Sequence, residues 1–165
     1  MSAIGRTAKG TDAHLARAID VGRAGMLAGQ GGPFGAVVAG PGGGFIAEGC
    51  NRVTSGNDPT AHAEIEAIRA ACRALATFTL AGCTLYTSCE PCPMCLAAAY
   101  WARIDAIVYG ATRADAAAAG FDDAFIYDEI GLSPDARRIP MQRADATQAV
   151  ALFEEWRHLE GRTPY

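Results

Sequence analysis

Apolar positions along the chain follow two periods. Over residues 12–30, Leu15, Ala18, Ile19, Gly22 and Met26 recur at helical spacing opposite Arg17, Asp20 and Arg23, which predicts an amphipathic helix stopped by Gly31-Gly32-Pro33. Short apolar runs at 34–39 and 45–50 flank Gly40-Pro41-Gly42-Gly43-Gly44, the pattern of a β-hairpin. Residues 53–57 read as polar loop. Asp58-Pro59 resembles an N-cap with proline at the first helical position, so a helix is expected from there to residue 76, with Ile65, Ile68, Ala71, Cys72 and Leu75 as its apolar stripe. An apolar strand at 83–88, an alanine-rich helix at 92–103 and a strand at 105–109 make a βαβ unit, which implies parallel strands. Weaker helices are expected at 113–119 and 124–130 and an amphipathic one at 148–159. Residues 139–142 suit an edge strand, where Pro140 is tolerated. Residues 1–10 and 161–165 read as a loose terminus and a tail. The alternation of hairpin, helices and strands predicts one α/β layered domain.

Composition narrows this little. The 165 residues are half hydrophobic and under one fifth charged, enough for a sizeable core. The net charge of −4 argues against a nucleic-acid partner, since no bulk basic footprint is present. No apolar run reaches the length of a membrane span, and the first residues lack the apolar stretch of a secretory signal, so a cytoplasmic location is expected. In that reducing setting six cysteines point to metal, catalysis or packing before disulfides.

The chemistry concentrates in two stretches. Cys89-Glu90-Pro91-Cys92-Pro93-Met94-Cys95 carries a strand through a proline-framed turn into a helix, and Thr60-Ala61-His62-Ala63-Glu64 lies near another helix start. Cys92 and Cys95, at i and i+3, share a helix face and can close on one ion, and the positive end of the helix favours the thiolate form. With His62 as third ligand, Zn²⁺ keeps a fourth tetrahedral position for water, whose pKa it lowers toward neutrality to give hydroxide. Glu64 is then the natural proton shuttle. His62 and Glu64, at i and i+2, converge only if they sit at the very start of their helix. A closed four-cysteine site from Cys83, Cys89, Cys92 and Cys95 is the non-catalytic alternative, that of a zinc-stapled interaction module. Cys50, Cys72 and Cys83 otherwise read as small buried hydrophobes, and Cys89 as packing.

His-x-Glu with Pro-Cys-x-x-Cys is the signature of the zinc deaminases of nucleobases, and these stretches resemble the cytidine deaminase superfamily. Tyr100-Trp101-Ala102-Arg103, the run from Asp115 through Phe121 to Tyr127, and the terminal Tyr165 narrow the resemblance to the short bacterial guanine deaminases. That resemblance implies a three-layer α/β/α fold with a central five-stranded mixed sheet, and hydrolysis of guanine to xanthine and ammonia. It implies one zinc per subunit held by His62, Cys92 and Cys95, with Glu64 as proton shuttle and Asp123 as a second carboxylate that binds the base and assists proton transfer. Asn51 would hydrogen-bond the purine edge, Phe34 and Trp101 would wall the ring, and Tyr165 would close the pocket of a partner chain in a homodimer that exchanges C-terminal segments. A tRNA adenosine deaminase of the same fold, or an enzyme acting on another amino-substituted ring such as ammeline, remains the alternative. On residues alone, Asn51 also suits a turn, Phe34 and Trp101 a core, and Asp123 a helix cap.

Overall fold

The computed structural model describes residues 10–121, 123–144 and 146–164. The expected loose terminus therefore falls almost wholly outside the described residues. In chain order the elements are α1 (Gly10–Leu27), β1 (Gly35–Ala39), β2 (Phe45–Cys50), α2 (Val53–Gly56), α3 (Ala63–Leu75), β3 (Thr84–Cys89), α4 (Pro93–Trp101), β4 (Ala106–Ala111), α5 (Arg113–Ala118), α6 (Ala124–Gly131) and α7 (Thr147–His158). The sheet runs β2-β1-β3-β4, antiparallel across β2/β1 and β1/β3 and parallel across β3/β4, with α4 as the crossover.

Strand alternation sorts the core into two layers around this sheet. Val37, Ala39 and Tyr86 face α1 and pack with its Ala18. Ala36, Val38 and Leu85 face the other way, against Ala63, Ala67, Ile68 and Ala71 of α3 and Ala99 of α4. Half of the buried apolar residues are alanines, which brings helix and strand backbones unusually close. Two glycines mark the closest approaches. A Cβ on Gly35 would collide with the Ala18 carbonyl oxygen and stand 2.9 Å from Gly22 Cα; one on Gly49 would stand 2.6 Å from Ala67 N and 2.7 Å from Ala63 O.

Several expectations are corrected. The sheet has four strands among the described residues, not five, since 139–142 forms no strand. Residues 53–56 are a short helix, not loop. The stripe on α1 is rotated from the one expected: Ala18, Gly22 and Gly25 are buried while Ile19 and Met26 are exposed, because the glycines let the helix backbone itself approach β1 and Cys50. α3 begins at Ala63. The Asp58 carboxylate accepts hydrogen bonds from the Thr60 N–H and hydroxyl, so Asp58-Pro59 forms a tight turn before the helix and does not cap it.

By its internal packing the chain forms two compact units, Met1–Phe125 and Ile126–Tyr165. In the second, Arg137 donates to the carbonyls of Glu129, Ile130 and Leu132 at the end of α6. No described residue of 126–164 is buried. Among the described residues, no helix is long and apolar enough to cross a membrane.

Candidate metal centre and base pocket

The two helices that carry the motifs start alike. His62 is the N-cap of α3 and Cys92 the N-cap of α4, both in extended backbone geometry and neither making a side-chain capping bond. Helix N-caps are ordinarily Ser, Thr, Asp or Asn, whose side chains satisfy the first free N–H groups, and forgoing that bond costs about 1 kcal/mol. His62 and Cys92 forgo it and turn their side chains to each other instead. Pro93 occupies the first turn, where a missing N–H is harmless, and Cys95 follows one turn on. Glu64, the second residue of α3, is buried beside them. The convergence of His62 and Glu64 thus depends on the helix starting between them.

His62 Nδ1 lies 3.5 Å from Cys92 Sγ and 3.5 Å from Cys95 Sγ, and the three donor atoms fall within 4.8 Å of one another. Tetrahedral zinc, with Zn–S of about 2.3 Å and Zn–N of about 2.0–2.1 Å, sets nitrogen and sulfur about 3.5 Å apart. The donor set therefore fits Zn²⁺ in both chemistry and spacing. The closed four-cysteine alternative does not form: the Cys89 thiol donates to the Thr112 carbonyl at 3.6 Å, and Cys83 belongs to the core.

Without metal the two thiols share a proton. Cys92 is held down to about 4, chiefly by the hydrogen bond from Cys95 and further by His62, while that same bond and burial push Cys95 far up. His62 is raised, first by its hydrogen bond with the Cys92 thiolate. Burial pushes Glu64 up, which favours its protonated form.

Asn51 is placed by the hairpin. Its N–H donates to the Phe34 carbonyl at 3.0 Å, and Arg52 N–H donates to Ala61 O at 2.9 Å, which draws the end of β2 to the residue before His62. The Asn51 side-chain oxygen accepts from Gly32 N–H and Val53 N–H, each at 3.2 Å. Two N–H donors fix which end of the amide is oxygen, which leaves its NH₂ as a hydrogen-bond donor. Phe34 is half-buried and packs edge-to-face with Phe121, with ring centroids 4.9 Å apart. Asp123, half-buried just ahead of α6, lies near enough for its charge to act on both His62 and Cys89.

Trp101 is not brought to this group. It ends α4, six residues beyond Cys95 and so about 9 Å further along the helix axis, where it lines an exposed apolar groove with Ile68, Cys72, Phe78 and Ala98. Tyr165 lies outside the described residues, as does Asp122. Two features went unread in the sequence. Gly31-Gly32 reads in sequence as a helix stop, yet it also grips Asn51, and Phe121 packs on Phe34, a contact no local pattern signals.

Residues 9–111 match the family model described as the cytidine and deoxycytidylate deaminase zinc-binding region. The guanine deaminase of Bacillus subtilis (strain 168) is 51% identical over 154 residues, 93% of this chain and 98% of the relative. A tRNA-specific adenosine deaminase of Agrobacterium fabrum is also 51% identical, but over 79 residues, 48% of this chain and 51% of the relative. Among solved structures, guanine deaminase from Bacillus subtilis superposes with a TM-score of 0.90 over 93% of this chain and 98% of that one. Guanine deaminase from Nitrosomonas europaea superposes with a TM-score of 0.64 at 36% identity, over 71% of this chain and 66% of that one. With the family model matched over residues 9–111 and the Bacillus subtilis relative 51% identical over 93% of the chain, the chain belongs to the cytidine and deoxycytidylate deaminase zinc-binding family.

Proposed function

We propose that the protein is a zinc-dependent aminohydrolase that converts guanine and water to xanthine and ammonia. One observation carries the choice of base: similarity to a guanine deaminase runs through 93% of the chain, second unit included, whereas similarity to the tRNA-specific adenosine deaminase of Agrobacterium fabrum covers 48%. The acidic net charge favours the same choice.

Zinc held by His62, Cys92 and Cys95 supplies a fourth coordination position for water and lowers the pKa of that water toward neutrality. Glu64 would move the two protons of the attacking water in turn, the first to a ring nitrogen as the C–O bond forms and the second to the amine, which leaves as ammonia as the C–N bond breaks; its burial-raised pKa supports that exchange. The Asn51 NH₂ donates to an acceptor on the purine edge, and the Asp123 carboxylate accepts from the N–H groups that guanine presents and assists proton transfer. Phe34 lies against the ring. The decisive experiment is ammonia release by the zinc-loaded protein with guanine, guanosine, adenine, cytosine and ammeline side by side, and Glu64→Gln as blank. Selective turnover of guanine is expected. Turnover of another ring alone would keep the zinc chemistry and reject guanine as the substrate.

The same reading includes a homodimer with exchanged C-terminal segments, in which Tyr165 closes the neighbour's pocket. It is supported by the second unit, where Val150, Leu152, Phe153, Trp156 and Leu159 all stand exposed. Such a set calls for cover from another chain. Mixing the Glu64→Gln chain with a chain lacking residues 161–165 tests it: each is inactive alone, and exchange restores activity at one site of the mixed dimer. A mixture that stays inactive would reject the exchange. A cytoplasmic location is part of the proposal, supported by six cysteines that are all free thiols.

A further inference from the structure

A chain of short-range locks runs from the metal loop to Phe121. The Cys89 thiol donates to the Thr112 carbonyl, Glu90 N–H donates to Ala111 O at 2.9 Å, and the Glu90 carboxylate accepts from Arg113 N–H at 3.1 Å. These bonds tie the loop before Cys92 to the start of α5. α5 then opens with a reciprocal capping box: the Thr112 hydroxyl accepts from Asp115 N–H, and the Asp115 carboxylate accepts from Thr112 N–H. The helix closes as firmly. Gly120 takes a left-handed φ of +92°, its N–H donates to Ala117 O, and Phe121 N–H reaches back to Ala116 O at 3.0 Å. That is the 6→1 and 5→2 pattern of a Schellman cap, with Phe121 as the residue that leaves it. A six-residue helix capped at both ends is thus a strut between the metal loop and Phe121.

The far end of the strut is seated on the base pocket. The Phe121 ring meets the Phe34 ring at 4.9 Å between centroids and 84° between planes, the edge-to-face geometry that aromatic quadrupoles favour. The fit is close. A Cβ on Gly32 would stand 3.0 Å from Phe34 and 3.2 Å from Phe121, so a glycine is what lets both rings lie over this loop. The same Gly32 holds Asn51 through its N–H. Phe34, Asn51 and Phe121 are therefore fixed against one loop, with Asp123 two residues beyond.

We propose that Phe121 is a positioning residue for Asp123: seated on Phe34 at the end of α5, it sets where the carboxylate meets the base. The inference rests on the guanine deaminase reading of the same site. Removing the ring leaves Asp123 chemically intact but takes away the aromatic seat two residues before it, and misplacement on the scale of 1 Å can lower turnover by up to about 10²-fold.

The test is a double-mutant cycle on the zinc-loaded full chain, with zinc content and melting temperature measured for each variant. Ammonia release from guanine by the wild type comes first. If it is absent, the base assignment has failed; the cycle is then run on whichever base the wild type does turn over, so the two failures are distinguishable. Phe121→Leu is expected to lower kcat on the order of tenfold with KM held within about threefold, and Phe121→Tyr, which keeps the ring, to restore kcat to within about twofold. Phe121→Leu added to Asp123→Asn should slow the enzyme no further than Asp123→Asn alone, because both act through one carboxylate. Losses that multiply in the double variant would overturn the proposal. So would a Phe121→Leu effect confined to KM, a loss of zinc, or an Asp123→Asn variant with unchanged turnover.

Discussion

Gly31 offers the sharpest test of the pocket. A Cβ added there would collide with the Asn51 side-chain oxygen and stand 2.7 Å from the Asn51 main-chain oxygen and 2.9 Å from its carbonyl carbon. The backbone of Gly31 has no left-handed φ, so alanine itself is compatible with it and the effect comes from space alone. To reach even a tight contact the main-chain gap must widen by about half an ångström, and the side-chain oxygen must leave its place. Leaving breaks both 3.2 Å bonds, to Gly32 N–H and Val53 N–H, in a residue that is only 7% exposed. Stranding a buried polar group in this way costs about 1–3 kcal/mol of stability. With Asn51 in the proposed role the base would lose a donor held in register, for which ~10²-fold in kcat/KM is the expected loss. Zinc content should be unchanged, since no metal ligand touches Gly31. Steady-state ammonia release, metal analysis and thermal melts on Gly31→Ala, Asn51→Ala and the double variant read all three quantities. If Gly31→Ala melts lower yet turns over at the wild-type rate, Asn51 is a structural residue and the pocket described above is wrong.

Glu64→Gln should keep zinc and lose turnover by about 10²–10⁴-fold. In metal-stripped protein it should also alter stability: a carboxyl whose pKa burial raises from 4.5 stabilises the fold below that value and loses the contribution as pH rises through the raised pKa, so Gln should flatten that decline in pH-dependent melts, and an unchanged decline would place its origin elsewhere. Zinc uptake should release protons, because Cys95 keeps one in the metal-free pair and must give it up to bind; a binding enthalpy that is the same in buffers of different ionisation enthalpy would contradict this. Gly35→Ala pushes α1 off β1 and should lower stability by about 1–3 kcal/mol, read as the denaturant midpoint; an unchanged midpoint would mean that the α1 contact is slack.

The metal ligands were legible because they depend on local rules. Cys92 and Cys95 are one helical turn apart behind a proline, and nothing distant is needed to bring them together. The start of α3 was misread for a reason equally local: Asp58-Pro59 has the composition of a helix start, and only the Thr60 hydroxyl, by drawing the carboxylate into a turn, moves the true start to Ala63. On α1 the expected Leu15, Ala18 and Gly22 do face the core, but Ile19 and Met26 do not, because apolar periodicity assumes side chains face inward, whereas Gly22 and Gly25 present backbone. Phe121 and the Gly31-Gly32 clasp lie beyond any such reading. Their roles come from contacts with residues 87 and about 20 positions away, respectively, which the local pattern does not encode.

A core in which every second buried apolar residue is alanine has a consequence for how such a protein can be probed and altered. Alanine scanning is blind to much of it, because at Ala36, Ala63, Ala67 and Ala71 the scan returns the starting sequence. The informative substitutions run upward in size: valine or leucine at these positions should be rejected where a surface site accepts them. A random library selected for folding should therefore fail mainly by added volume, and the helix–sheet seams should tolerate glycine or serine better than any larger apolar residue.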